Sequence, residues 1–518
     1  MSYQLPDDCL NEIFEYLNYD RKTLYSLLLV NRFYCKVSIE ILWRNIWRDI
    51  WYNRFKITHK QLQRVTTSIL STLFACLPKE SKDLLFKNKI IISAPTSKPP
   101  LFNYPSFCNV LSIDLICRII NIGLEKTPIT TISKEDKNYL VINEIIKLLV
   151  TRTSSFKELS YYDQLFYINF NECKFKPSRL SFTCFSGAID CLKDLSELQC
   201  ILDLPSEFFY HLSKISHNLY SLNIIIRYKG SKIPNELKEL ISLQNNLKNL
   251  SLSAYNKSDW TDIIPTLTKH SNTLTKLHLK SATNNNLSVS WISLFSNLQE
   301  IKFTYTTWKF EIQFKDFEKL QYANFPKLQY LSIPRRCTKL EHVEKFLENN
   351  GKNLKKFHTK ESNFALNLSI AKFCPNLKKL FTIFMSSELG SLITIFNNCQ
   401  HLESISIESK TIWLKVKDVL ETITKYSPKN LYKLKIYDGL NSKLLPEGLE
   451  SFFISWKSQT SFTLIIIKYY YYDDISLGKN EEDIKNMELI KKYKNLGIIK
   501  KFETIKCENK TLKIIFEV

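Results

Sequence analysis

Glycine is nearly missing: 9 residues in 518, under 2%, where globular chains carry roughly 7%. So few glycines leave little room for phosphate-cradling loops. Neither G-x-G-x-x-G nor G-x-x-x-x-G-K-[ST] occurs, which argues against dinucleotide and P-loop nucleotide chemistry. The H-E-x-x-H and G-x-S-x-G patterns are absent too, as is C-x-x-C among 13 cysteines, an odd number. The eight histidines scatter, and the nearest pair, His211 and His217, is six apart; that spacing suits ligands on neither a helix nor a strand. Cys184, Cys191 and Cys200 lack zinc-ligand spacing and are expected to be buried thiols. Asp473-Asp474 and Glu481-Glu482-Asp483 read as solvated loop acids. No catalytic residue, metal site or cofactor is therefore expected.

Long apolar runs are lacking as well. No stretch approaches the roughly 18 residues of a membrane span, and the longest block, Phe462 to Ile467, is strand-length. The opening Met1-Ser2-Tyr3-Gln4-Leu5-Pro6-Asp7-Asp8 is neither basic nor apolar enough for a signal peptide. Sequons such as Asn249-Leu250-Ser251 arise by chance in an Asn-rich chain. These features together predict a soluble intracellular protein, cytoplasmic or nuclear, with reduced thiols.

Hydrophobic residues make up 44% and charged residues 24%, an ordinary globular balance. The length calls for more than one cooperative unit or one long repeat array. The formal charge is +21, but arginine is scarce: 60 of the 72 basic residues are lysine. Arginine is the residue that grips phosphate and reads bases bidentately. The excess therefore reads as compositional drift rather than selection for nucleic acid, and neither nucleic acid nor a membrane is an expected partner.

The N-terminal stretch, 1–50, differs from the rest. Pro6, Asp7 and Asp8 are helix-start chemistry. Leu10, Ile13, Phe14 and Leu17 recur at three- to four-residue spacing and form one apolar helical face. After a polar break at 18–22, Leu24, Leu27 and Leu28 begin a second face, followed by Val30-Asn31-Arg32-Phe33 and by Trp43 and Trp47. A three-helix piece of this size cannot cover its own apolar surface, so it must lean on a partner or on the following domain. The order Leu-Pro, Leu-x-x-Ile-Phe-x-x-Leu, Leu-x-x-Leu, Val-Asn-Arg, then Trp over Leu5 to Trp47 resembles the F-box motif; Asn31 stands where that family usually has Ser or Cys. The resemblance implies docking on a Skp-family adaptor and through it a cullin. Leu5, Pro6, Leu10, Ile13, Phe14 and Leu17 are carried over as the first contact face. Leu24, Leu27, Leu28, Val30 and Trp43 are carried over as partly contact and partly core.

Residues 51–150 read as a helical linker region, with a stripe of Ile69, Leu70, Leu73 and Leu77 and a Pro-rich surface connector at 93–106. The stretch 151–518 repeats itself, most clearly over 215–440. Leu219-x-x-Leu222-x-Ile224 is followed by units starting at Leu247, Leu274, Leu298, Leu328, Leu354, Leu377, Leu402 and Leu431, spaced 23 to 30 residues apart. An Asn precedes the first leucine in six of the nine. Less regular units start at Leu192, Leu449 and Leu512, with another at Phe156. This is the leucine-rich-repeat period. Cys374 and Cys399, each three residues before a strand leucine, resemble the Cys-containing subclass often coupled to F-boxes. The expected fold class is α/β: a three-helix F-box, then a curved solenoid with parallel strands on the concave face, helices on the convex face and a C-terminal cap.

The implied function is substrate recognition in a cullin–RING (SCF-type) ubiquitin ligase, without catalysis by this chain. The alternatives are a non-ligase repeat scaffold or inhibitor, and a basic nucleic-acid-binding array. Strand alternation turns 27 positions of the nine units toward solvent. Eight are lysine (Lys276, Lys280, Lys302, Lys356, Lys360, Lys379, Lys433 and Lys435) and two are acidic, Glu300 and Glu408. Part of that excess is what any surface of a Lys-rich chain shows. The rest reads as a target-binding strip for an acidic or phosphorylated segment, with Tyr330, Phe381 and Tyr437 as aromatic anchors. His278 and His358 also fall on outward positions and are expected to be solvated.

Overall fold

The computed structural model describes residues 6–47, 58–90, 100–125, 133–161, 182–230, 232–256, 258–281, 287–305, 314, 316–335, 338–384, 388–409, 416–438, 446–456, 461–470 and 481–508. The chain divides into two compact units, Met1–Arg227 with Ser231–Leu247, and Tyr228–Gly230 with Lys248–Val518. Both are α/β. Among the described residues no helix is long and apolar enough to cross a membrane.

The first unit begins with α1 (Asp7–Glu15), α2 (Arg21–Leu27) and α3 (Arg32–Arg44). Asp20 caps α2, accepting from the Thr23 N–H at 3.2 Å and the Thr23 hydroxyl at 2.7 Å. Asn31 caps α3 by accepting from the Tyr34 N–H at 2.8 Å, a role that Ser and Asn fill about equally well. Arg21 donates to the carbonyls of Leu42 and Asn45 at the end of α3, where a cation also favours the helix dipole. Phe14, Leu24, Val37, Ile41 and Leu42 form the core of this piece. It leans on its own chain. The buried Trp47 donates its indole N–H to the Val110 carbonyl at 2.8 Å, the Asn109 N–H donates to the Arg44 carbonyl, and the Trp43 ring lies 4.6 Å from that of Tyr104.

Val110 opens a parallel ladder of β1 (Val110–Ser112), β2 (Glu158–Ser160), β3 (Glu197–Ile201) and β4 (Ser221–Ile226), paired in that order. The repeats thus begin inside the stretch expected to be purely helical. β1 escapes the sequence pattern because it is three residues long and no Leu-x-x-Leu precedes it. The Pro-rich connector is only partly described, and its last residues are not a surface strand. Tyr104–Phe107 is a 3-10 turn with Pro105 buried, its carbonyl accepting from the Thr153 hydroxyl; aromatic packing beneath α3 holds it. The unit at Phe156 leads into β2. The one expected at Leu192 starts at Leu195 instead, since Leu192 ends the helix Ala188–Leu192.

The second unit continues with β5 (Asn249–Ala254), β6 (Lys276–Ser281), β7 (Glu300–Tyr305), β8 (Tyr330–Ile333), β9 (Lys356–Thr359), β10 (Lys379–Phe384), β11 (Ser404–Ser409), β12 (Lys433–Asp438), β13 (Phe462–Tyr470) and β14 (Ile499–Glu508). Each strand pairs parallel with the next. Helices such as Leu340–Asn350, Phe364–Phe373, Leu389–Asn398 and Val416–Tyr426 link successive strands, giving a solenoid-like repeat. Leu449 lies in the helix Pro446–Trp456, where its spacing with Phe452, Phe453 and Trp456 is helical; Leu512 lies outside the described residues.

Three devices hold successive repeats in step. The Asn before the first leucine reaches back one repeat: Asn297, Asn353 and Asn376 donate to the carbonyls of Asn272, Pro326 and Lys352 at 2.8–2.9 Å. Buried amides close turns in the preceding repeat. Gln244 accepts from the Leu219 N–H and donates to the Ser216 carbonyl, while Asn350 accepts from the Phe325 N–H and donates to the Ala323 carbonyl. Cys374 and Cys399 are fully buried, the Cys399 thiol donating to the Cys374 carbonyl at 3.3 Å. Burial pushes the Cys399 thiol up to about 12, so both act as small apolar groups. Gly351 is needed for space, because a Cβ there would stand 2.7 Å from the Phe373 carbonyl oxygen.

The register sets a sharp contrast on β6, where Leu277 is 1% exposed and its neighbour Lys276 faces solvent. Leu277→Asp buries an unpaired charge and is expected to destabilise the protein by about 3 kcal/mol or more. Lys276→Asp should stay within about 0.5 kcal/mol. Denaturant titration of both variants checks this, and equal midpoint shifts would refute the register.

Candidate functional site

Two surfaces stand out, one in each unit. In the first, the apolar stripe of α1 splits. Leu10 and Phe14 turn inward, while Ile13 is 48% exposed. Leu24 is fully buried, and Leu17, Leu27, Leu28 and Trp43 are half-buried against the core. Pro6 and Val30 are exposed, and Leu5 lies outside the described residues. The contact face carried over from the sequence is thus corrected at Leu10 and Phe14, which are buried because α3 packs across α1, while Leu24 falls on the core side of the mixed set. What remains outside is Ile13 and Val30, together with Tyr16 (86% exposed), Tyr19 (80%) and Leu29 (90%). These last three went unread because they fall off the main stripe. Tyr16 lies three residues after Ile13, which was the available signal. Arg44 forks onto the Glu15 carboxylate with two bonds of 2.6 Å and holds that carboxyl below its ordinary value, fixing the end of α1 beside α3.

In the second unit, the outward side chains line up in rows across the strands. The first row reads Asn249, Lys276, Glu300, Tyr330, Lys356, Lys379, Ser404, Lys433, Thr463 and Lys501. The Lys356 ammonium lies 4.2 Å from the centre of the Tyr330 ring. Burial, with Lys379 and Lys302 nearby, lowers the Lys356 pKa despite Glu300; burial and then Lys433 do the same for Lys435. Lys302, Lys360, Lys433 and Lys435 are half-buried and Lys379 is exposed.

Three of the expected target contacts need correction. Lys280 is 7% exposed, Phe381 9% and Tyr437 4%. Phe381 stands edge-on to His358 at 4.3 Å and, two strands away, to Tyr437 at 5.2 Å. The rings therefore cover one another. Lys280, between Ser253 and Thr304 in register, is the next-to-last residue of its strand and is buried there.

His278 and His358 are half-buried rather than solvated. The His278 Nε2 lies 2.7 Å from the Thr304 hydroxyl, and the His358 Nδ1 lies 3.2 Å from the Ser332 hydroxyl. Burial first, then Lys302 and Lys280, pushes His278 down to about 3; burial, Lys360, Lys302 and Lys356 do the same to His358. Both imidazoles are neutral near pH 7.

The first unit presents a different face. Glu158 and Glu197 stand side by side in register, and burial and Glu197 together raise the Glu158 carboxyl. These acids went unread because the leucine pattern is weak there. The chain matches no protein-family model, and no curated protein is significantly similar to it.

The histidines make stability depend on pH. In the unfolded chain they titrate near 6.5 and in the folded one at about 3. Below pH 6.5 the unfolded state takes up more protons, so stability is lost as pH is lowered from 6.5 toward 3, by up to about 1.4 kcal/mol per pH unit for each histidine. Denaturation between pH 6.5 and about 5 should show a clearly flatter slope in His278→Asn/His358→Asn than in the parent. Parallel slopes would show that neither ring is held neutral.

Proposed function

We propose that this chain is the target-recognition subunit of an SCF-type cullin–RING ubiquitin ligase. Its N-terminal helices dock on a Skp-family adaptor and its repeats hold the target protein. The observation that carries the reading is the exposed apolar set Ile13, Tyr16, Leu29 and Val30 on a helical piece whose own core is already filled. These residues lie within the stretch whose order of Leu-Pro, helical faces, Val-Asn-Arg and Trp resembles the F-box. Several large apolar side chains left exposed on so small a module suit a docking face.

In this role the chain performs no covalent step. It raises the effective concentration of target lysines near the ubiquitin-loaded enzyme, a gain that depends on geometry. The Trp47–Val110 bond and the Trp43–Tyr104 contact support such a role, since they fasten the docking helices to the first strand of their unit and to the turn that precedes it.

Ile13→Asp with Leu29→Asp should reduce capture of a recombinant Skp-family adaptor by more than tenfold. Loss of two interface anchors costs about 2–4 kcal/mol. Melting should be unchanged, because both positions face solvent. Full adaptor capture by a folded double variant would sink the assignment. Capture of adaptor without cullin-dependent ubiquitylation of any bound protein would leave a scaffold in its place.

A further inference from the structure

From β9 to β14 the first outward row reads Lys356, Lys379, Ser404, Lys433, Thr463, Lys501, each the register partner of the next. From β10 onward lysine and a short hydroxyl residue alternate, so the cations sit on every second strand. The row contains no acid. Lys501 is tied to Glu503 at 2.7 Å, whereas among the described residues no ion pair engages Lys379 or Lys433. Ser404 and Thr463 lie low between the longer lysines, both 9% exposed.

We infer that this row is a docking track for an acidic segment of a partner protein, held as a polyproline II helix with a Glu or Asp at every third residue. Adjacent strands stand about 4.8 Å apart, so alternate strands stand about 9.6 Å apart. A polyproline II helix has three residues per turn at about 3.1 Å each and returns to the same face every ~9.3 Å. A β-strand returns to one face every ~6.8 Å and loses step within two lysines. An α-helix returns at about 5.4 Å per turn, close to neither spacing.

The charge chemistry favours carboxylates. Each alternate strand offers one ammonium, and the sequence has no arginine after Arg336, so the track has no guanidinium fork of the kind that grips phosphate in two bonds. Base stacking, which single-stranded nucleic acid needs, finds no free ring at Phe381 or Tyr437, which pack edge-on together. That the occupant is a segment of protein rests on the receptor reading; the spacing does not.

The test uses the full chain without adaptor and fluorescent peptides in anisotropy titrations at low and moderate salt. A peptide of repeated Glu-Pro-Pro should bind at least tenfold tighter than an isomer of equal composition with its glutamates in one block. Lys379→Glu with Lys433→Glu should weaken the first peptide at least tenfold, most at low salt, with melting unchanged. Equal affinity for the two isomers, or indifference to the charge reversal, would overturn the track. Tighter binding of a phosphoserine peptide of the same spacing would overturn the carboxylate assignment, and tighter binding of oligothymidylate the protein occupant. No adaptor takes part, so failure here leaves the docking of the N-terminal helices standing, and failure of adaptor capture leaves the track standing.

Discussion

A strand with leucine and isoleucine on one side can bury that edge only against another strand in the same register. Every strand of the two ladders meets this condition by pairing parallel with its sequence neighbours, and most of the architecture follows from it. Parallel neighbours need a connection that returns to the starting end, so each strand is followed by a return segment, in most repeats a helix. The register that aligns Leu277, Ile301, Leu331 and Phe357 in the core also aligns Lys356, Lys379 and Lys433 outside. Core and charged row are two sides of one constraint.

The period of the repeats was legible because the leucines that define it make local, obligatory contacts. So was the direction of Lys276 and Leu277, which depends only on alternation. The burial of Phe381, Tyr437 and Lys280 was not. Phe381 meets Tyr437 two strands and more than fifty residues away. No period encodes such a contact. The same holds for α1: helical spacing groups Leu10, Ile13, Phe14 and Leu17, but only the placement of α3 decides that Phe14 faces the core and Ile13 the solvent.

The scarcity of glycine also finds a physical account. Turns that usually rely on a glycine backbone are here closed by side-chain amides. Gln244 and Asn350 each satisfy a backbone N–H and a carbonyl of the preceding repeat. Asn31 and Asn363 cap helices. Asn297, Asn353 and Asn376 span from one repeat to the one before. The abundance of asparagine, which looks like drift in the composition, supplies hydrogen-bond partners that this backbone needs. At Gly351 glycine is kept for space, since an added carbon would strike the Phe373 carbonyl.

The stacking of repeats has a mechanical side. Each strand is held chiefly by its neighbours, with few contacts to anything further along the chain. Tension applied to the ends of a ladder would therefore meet no single clamp whose failure releases everything. It would peel the terminal repeat, pause at the next interface, and peel again. The force–extension trace of such an array is a series of small steps, each releasing about one repeat length of chain, and recoil on relaxation can proceed from whatever stack is left.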